Sequence, residues 1–572
     1  MRHRESILYF GFSFILGLLL AILITAPSTI LFKDYLIGYP HDGFEYIYKF
    51  WWFQKALFEL GSSPAYTKFL NYPYIEYNLT IAAAPVLPLI AQIFLPVLTG
   101  SQTYNLFILM GLALSMACMT QLCFIVSNDR AAALLGGIIF AFNPNLIAHS
   151  IGGHLAQIIN FPIIIFALLF LRFISNPTKN KVIILGILAS VIILIDLKLS
   201  AYFFLPLLVL LTIAFFLKNK ISLKHKLSTI AGLGVIIGLI IVPFFMPLLS
   251  SRASGKIDHF YQPGAQLHSA GVLSFFIPPP ESFLVKIFPG FQEISQDIAY
   301  PGWHENVFFL GWATSLMAIA GGVFAWKQNR SYTKLWVVSL VTAAVFVLGP
   351  YLKFINDPIS VNIGQWNFLL PMPYLLLSKL PFFDWGRTPS RFMSLLWFSL
   401  AILAALGFGR LHMVLGQKII KIIVAFFIAT IIILELNFSF PFPMYPLEAP
   451  QIFTQMAQDQ EEYAILDLPL WDYRCGRLQQ YYATLHNHPI VGGIITRRSL
   501  AAEKSMRNIE EILHYQKMEE TSRVLIRKKI RYVILYLDCS QDQIPSELEE
   551  LLQARLGTHI YRDNKIQVFQ VY

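Results

Sequence analysis

Charge is scarce in this sequence. Asp, Glu, Lys and Arg make up 13% of its 572 residues, about half the share of an ordinary soluble domain. That scarcity excludes a chain whose whole surface meets water. Cysteine is scarcer still, with four in all. They are too few and too scattered for a disulfide scaffold, and no CxxC pair marks a redox or zinc-ribbon site. The absence of a GxxxxGK[ST] loop excludes P-loop ATP chemistry, and the absence of GxSxG excludes a nucleophile-elbow hydrolase. No internal repeat is visible, which argues against the paired halves of a secondary transporter. The net charge of +10 carries no basic stripe interleaved with exposed aromatics, so nucleic acid is excluded as a partner.

Apolar sequence fills the space that charge leaves. Hydrophobic residues reach 56% and the mean hydropathy is +0.59. Runs long enough to cross a bilayer recur through the first three quarters of the chain. Basic clusters between the runs set the topology by the positive-inside rule. Met1-Arg2-His3-Arg4 places the N-terminus inside, and residues 7–26 cross outward. That run resembles a signal peptide but lacks a small-residue cleavage site before Pro27, so it is read as a retained span. Inner markers follow at Arg130, at Arg172 with Lys179 and Lys181, and at Lys218, Lys220, Lys224 and Lys226. The last are Lys327, Arg330 and Lys334, then Arg410, Lys418 and Lys421.

Paired runs lie between these markers: 131–148 with 155–174, 183–198 with 199–217, 229–249 with 305–326, and 335–350 with 392–411. With 7–26, 103–126 and 419–440 the expected number is about eleven spans. Residues 79–98 are apolar but would reverse every later cluster if they crossed. Pro85, Pro88 and Pro96 point instead to a bent helix lying at the outer surface. Cys118 and Cys123 sit in an apolar run as small core residues. A pairing of Cys475 with Cys539 is left open by their spacing.

The outward loops 27–102, 250–304 and 351–391 are long, whereas the inner connections are short. Long ordered loops usually hold function, so the outer face is the working one. Residues 441–572 change character after the Pro-rich hinge SFPFPMYPLEAP. EYAILDLPL, IRYVILYLD and KIQVFQVY read as strands, and RNIEEILHYQ and SELEELLQARL as amphipathic helices. The fold class is therefore mainly α, a polytopic helical bundle at 1–440 with an extracytoplasmic α/β domain at 441–572.

Ionisable residues at membrane depth are costly and mark function. In the first loop His41 and Asp42 precede an aromatic-rich helix, and Glu45 lies one turn later on the same face. A carboxylate there is suited to general-base work or metal ligation, or simply caps the helix. His149 and His154 stand at an outer turn, five apart, so they do not share a helix face. They read either as a site or as plain polar loop histidines. Asp196 and Lys198 interrupt apolar sequence and can pair with each other, although a lysine at this depth also suits a lipid phosphate. His304 and Glu305 end the second long loop. Arg387 and Arg391 end the third, near Asp384 and Trp385, with Pro389 placing a helix start between them. Two arginines outside oppose the charge bias and suit a phosphate or pyrophosphate.

The pattern resembles the GT-C superfamily of integral membrane glycosyltransferases, which includes protein O-mannosyltransferases and the aminoarabinose transferases of lipid A. It is more similar still to a bacterial branch with three short motifs. Here these are Asp42 with Tyr46 and the Trp51-Trp52 pair, Gly153-His154-Leu155, and Arg387-Thr388-Pro389-Ser390-Arg391-Phe392. The resemblance implies transfer of a sugar from a polyprenyl-phosphate or polyprenyl-pyrophosphate donor to an extracytoplasmic glycan, lipid or protein, with inversion. It implies Asp42 as base or acceptor guide, and His304 with Glu305 as a second acidic motif. Lys198, Arg387 and Arg391 would hold phosphate, with His41, Glu45 and His154 in the substrate site. The first loop has one Asp after His41 instead of an acidic pair, so a divalent cation such as Mg or Mn is left open. The location implied is the bacterial inner membrane, with the C-terminal domain outside. The competing classes are a flippase for lipid-linked sugars and a non-catalytic membrane scaffold, both of which would tolerate loss of Asp42 and Glu305.

Overall fold

The computed structural model describes the chain except residues 1–2, 28, 30–31, 219, 254–263, 301–303, 328–330, 381–382, 384–385, 416–417, 438, 440, 496–497, 516–517 and 538–545. Among the described residues seven helices are long and apolar enough to cross a membrane: Arg4–Ile24, Gly100–Ser127, Arg130–Ile151, Leu155–Ser175, Leu197–Lys218, Leu223–Pro247 and Pro389–Val414. Three more, Lys179–Ile195, Trp312–Lys327 and Ser331–Val347, are apolar but only 16 or 17 residues long. At about 1.5 Å per residue such helices fall a few ångströms short of the hydrocarbon thickness. This is an integral membrane bundle. The chain divides into two compact units, one of Met1–Leu31, Asn105–Val242 and His259–Pro443. The other joins Phe32–Tyr104 and Met444–Tyr572 with a short segment from Pro243.

In the first unit the Pro389–Val414 helix is buried from Pro389 to Gly409 and forms the axis. It meets the Trp312–Lys327 helix backbone to backbone. A Cβ on Gly321 would stand 1.9 Å from the Leu403 carbonyl oxygen, and one on Gly407 would stand 2.0 Å from that of Met317. Small residues let membrane helices approach this closely because lipid supplies no hydrophobic drive between them. Ser399 donates to Ser339 at 2.7 Å, tying the axis to a third helix. Glu435, buried on the Lys418–Leu436 helix, accepts from Ala313 N at 2.8 Å and so satisfies the open start of Trp312–Lys327. The Leu223–Pro247 helix, by contrast, is only 6% buried. Leu233 and its neighbours Ile230 and Ile237 reach the core, and most of its apolar surface is left outward, as befits a helix facing lipid.

Two sequence expectations change here. The span expected at 305–326 starts at Trp312, so Glu305 lies in a turn before the helix. Residues 79–98 hold only the short helices Leu79–Ala82 and Val86–Ala91. The prolines break the segment into pieces too short to cross, instead of bending one helix.

The second unit contains a four-stranded sheet. Ala464–Leu468 runs parallel to the central Ile530–Tyr536, which pairs antiparallel with Ile566–Gln570, and Tyr561–Arg562 closes the edge. All three expected strands and both expected helices are present. The Tyr473–His486 helix was not expected, since its polar and aromatic residues give no clear apolar stripe. The first long loop belongs to this unit: Tyr35–Ile37 pairs with Met444–Pro446, and Phe44 stacks on Tyr481 with centroids 4.5 Å apart. Cys475 is disulfide-bonded, and Cys539 lies outside the described residues.

Candidate functional site

The turn between two membrane helices builds the centre of the first unit's site. Asn143 caps the Pro144–Ile151 helix by accepting from Leu146 N, which sets the helix that carries His149. The chain then reverses through Gly152 and Gly153. Gly153 has φ +79°, the left-handed region that only glycine enters freely. Gly152 serves by lacking a side chain, since a Cβ there would stand 3.1 Å from the His304 ring. The reversal brings His154 Nδ1 to 2.8 Å from His149 Nδ1, so one tautomer donates to the other. Both rings are enclosed: His149 is buried, and the His154 side chain is 10% exposed.

Glu305 completes the group. Its Oε1 lies 3.9 Å from His154 Nδ1, while Arg391 Nε donates to its two oxygens at 3.1 and 3.3 Å and Nη2 donates to Oε1 as well. Ser390 Oγ adds a contact at 3.3 Å. His304 sets its ring edge-on to His154, centroids 4.8 Å apart. Burial pushes the Glu305 carboxyl up, but Arg391 and then the two histidines outweigh it and hold it well below the usual carboxylate range. Burial, and next His304, lower His154 well below its ordinary value. The site therefore holds an ionised carboxylate beside a His154 ring that resists protonation.

Sequence reasoning missed His268 and the polar frame around it. His268 Nδ1 lies 3.3 Å from Asn306 Oδ1, and its carbonyl accepts from Ser390 N at 2.9 Å. Asn145 Nδ2 donates to the Val307 carbonyl at 3.2 Å, fixing the segment just after Glu305. Spacing alone gave no signal for these partners, because each comes from a different loop.

The arginine pair divides. Residues 389–392 form a 3-10 turn before the axial helix, so the helix starts between the two arginines as expected. Arg391 is buried against Glu305. Arg387 is exposed, and its charge acts on His268. Tyr374 donates to the Gly386 carbonyl at 3.0 Å and lies 3.4 Å from the Tyr202 hydroxyl, which steadies this segment. Asp384 and Trp385 lie outside the described residues. Asp196 accepts from Leu199 N at 2.6 Å and caps a short turn, and its charge reaches Arg391. Lys198 is exposed on that turn.

In the second unit Asp42 and Glu45 share one face of the Pro40–Gln54 helix, as expected. Arg477 of the Tyr473–His486 helix bonds Asp42 through Nη2 and brings Nε to 3.9 Å from Glu45, which also pairs with Lys49 at 2.8 Å. The capping alternative for Asp42 is corrected: the cap position is Tyr39, and Asp42 lies inside the first turn, where its charge favours the helix dipole. His41 is in the same turn. The C-terminal Arg498 is bound to Asn71 Oδ1 at 3.0 Å and to the Gly493 carbonyl at 2.9 Å, and Arg497 lies outside the described residues.

No protein-family profile and no curated protein matches the sequence. Solved structures do match. Two of the arabinofuranosyltransferase AftD from Mycobacteria, one of them a point mutant, give TM-scores of 0.60 and 0.58 at 11% and 10% identity. They cover 100% of this chain. The chain has the GT-C glycosyltransferase fold. It spans about two-fifths of the AftD chains, 42% and 40%. ArnT from Cupriavidus metallidurans bound to undecaprenyl phosphate matches over 98% of both chains at 11% identity, but its TM-score of 0.48 is too low to carry an argument. Within this GT-C fold the His149, His154, Glu305 and Arg391 group sits at the ends of three candidate spans.

Proposed function

We propose that this protein transfers a sugar from a polyprenyl-phosphate or polyprenyl-pyrophosphate donor to an extracytoplasmic acceptor, with inversion, in a bacterial inner membrane. The observation that carries the reading is the buried Glu305–Arg391 pair with its ring of His149, His154, His268 and His304, set in a GT-C fold. A largely buried, hydrogen-bonded charge cluster at helix ends is costly to assemble and is the mark of a functional site.

In such a transfer a carboxylate removes the proton of the acceptor hydroxyl. The oxygen then attacks the anomeric carbon, the bond to the donor phosphate breaks, and the polyprenyl phosphate leaves with the electron pair. Two carboxylates are proposed for the base. Asp42 is favoured by the resemblance, and its side chain is 28% exposed, so an acceptor reaches it. Glu305 is more enclosed, and we assign it to hold His154 and Arg391 in place. His304, Arg387 and Lys198 are proposed to bind donor, and His41 and Glu45 acceptor.

Among the described residues a divalent cation fits one place. His149, His154 and Glu305 offer ligand atoms all within 4.8 Å of one another, and a carboxylate has lone pairs beyond those that Arg391 and Ser390 use. Two imidazoles and a carboxylate suit Zn or Mn better than Mg, which prefers oxygen ligands. Bound there, such an ion would add positive charge facing a phosphate.

The test is glycosyl transfer from radiolabelled polyprenyl-phosphate sugars in membranes holding wild type, Asp42→Asn or Glu305→Gln at equal abundance. Product from the wild type and none from Asp42→Asn supports the assignment. Equal product from those two moves the base to Glu305, and no product from any donor refutes transfer.

A further inference from the structure

The third long loop carries a β-hairpin whose apolar face is not buried against any of the described residues. Ser360–Ile363 pairs antiparallel with Trp366–Leu369, and Gly364, at φ +63°, opens the two-residue turn between them. Side chains alternate across a strand. One face of the hairpin therefore carries Val361, Trp366 and Phe368, and the other carries Ser360, Asn362, Asn367 and Leu369. The Trp366 and Phe368 rings stand side by side with centroids 6.5 Å apart, and the two residues are 71% and 51% exposed. Every residue of Trp366–Leu369 is exposed. A two-stranded ribbon alone in water is marginal, and an open apolar face on it would invite aggregation.

The composition and the anchoring of this loop say what covers that face. From Pro358 to Ser378 the sequence holds no Asp, Glu, Lys or Arg, whereas about a quarter of the residues in an ordinary soluble domain are charged. The base of the hairpin is tied to chain that has just left a membrane helix. Leu352 N donates to the Leu370 carbonyl at 3.0 Å, and Ile359 N donates to the Leu352 carbonyl at 2.8 Å. The helix in question, Ser331–Val347, is 17 residues long, or about 25 Å, and the hydrocarbon layer is roughly 30 Å thick. The chain beyond Val347 thus emerges at the edge of the hydrocarbon, the depth at which tryptophan is enriched. Leu376, 75% exposed, extends the apolar surface past the hairpin along the same loop.

We propose that the 360–369 hairpin docks on the lipid surface. It lays Val361, Trp366 and Phe368 into the headgroup–acyl boundary of the adjacent leaflet, while Ser360, Asn362 and Asn367 face water. The hairpin has no basic residue, so its attraction is apolar and needs no anionic lipid. Docking holds at membrane depth the loop that runs on to Arg391 and the axial helix. It does not depend on the transfer reaction.

The experiment is spin-label accessibility in the full chain reconstituted into phosphatidylcholine vesicles. Val361→Cys, Trp366→Cys, Asn367→Cys and Phe368→Cys are made one at a time and labelled with a nitroxide, and the wild type, whose Cys118 and Cys123 are buried, sets the background. Oxygen concentrates in lipid and a nickel chelate stays in water, so the ratio of their collision rates reports the surroundings of each label. Labels at 366 and 368 should show an oxygen-to-nickel ratio several-fold higher than the label at 367, and adding phosphatidylglycerol should not change it. Equal ratios on the two faces overturn the proposal. So does dipolar broadening at 366 that vanishes on dilution with unlabelled protein, which would mean that a second copy covers the face. Shielding of 366 from both oxygen and nickel without broadening would mean that protein covers it, and would overturn the proposal as well. Should Trp366→Cys not fold, Val361→Cys and Phe368→Cys read the same face.

Discussion

Arg391 holds Glu305 through paired donors from 86 positions away, and the two residues neutralise each other inside the bundle. Removing one partner of such a pair leaves a bare charge in a dry place. Arg391→Met or Glu305→Leu should each lower stability by about 3–5 kcal/mol, and the double variant should lose much less than their sum. Unfolding of the four proteins in detergent measures the coupling. Additive losses would mean that the pair is not a unit.

The contact between Arg477 and Asp42 lends itself to a charge swap. Arg477→Asp sets three carboxylates together with Asp42 and Glu45 and should sharply reduce the amount of folded protein in membranes. Adding Asp42→Arg should restore abundance without restoring transfer, because the proposed base is gone. A swap that recovers neither, while Asp42→Asn alone folds well, would count against the pairing.

Asp467 supplies a pH test. It is fully buried on a sheet strand, and burial, offset only in part by the Tyr536 hydroxyl at 3.1 Å, raises its carboxyl well above the usual range. The folded state therefore holds this proton more tightly than the unfolded chain. Its stabilisation is complete below the ordinary value of about 3.9 and is lost as pH rises through the raised one. Asp467→Asn, neutral throughout, should melt higher than wild type by a margin that grows with pH above about 4. Parallel melting curves would refute the assignment.

Helix packing gives a steric prediction. Gly321→Val and Gly407→Val have no space and should yield aggregated protein on size exclusion. Gly322→Val, whose nearest neighbour would be the Val337 side chain at 3.7 Å, should behave as wild type. A monodisperse Gly407→Val would show that the crossing is looser than described.

Zinc or manganese titrated into metal-free protein should bind at about one equivalent and fail to bind His154→Ala, read by elemental analysis after desalting. Equal metal in both proteins would move any ion elsewhere.

Much of the fold was legible because it follows local rules. Apolar runs and their basic punctuation gave the membrane bundle, and short apolar, β-branched runs such as Ala464–Leu468 and Ile530–Tyr536 gave the sheet. The site was half legible. His154, His304, Glu305 and Arg391 stood out as polar residues in apolar surroundings, whereas His268, Ser390 and Asn306 looked like ordinary loop polarity. Arg477 was invisible because its helix carries no apolar stripe.

By itself the sequence determined that this chain is a membrane protein with GT-C-like motifs. Hydropathy and charge bias are sums over neighbouring residues and need no partner. Which charges meet was decided only by tertiary structure. The separation of the arginine pair, Arg391 inward and Arg387 outward, follows from a 3-10 turn at Pro389. The joining of His149 to His154 follows from a reversal at Gly153. Neither depends on composition: an ion pair is fixed by distance in space, and distance between residues far apart in sequence exists only once the helices have packed.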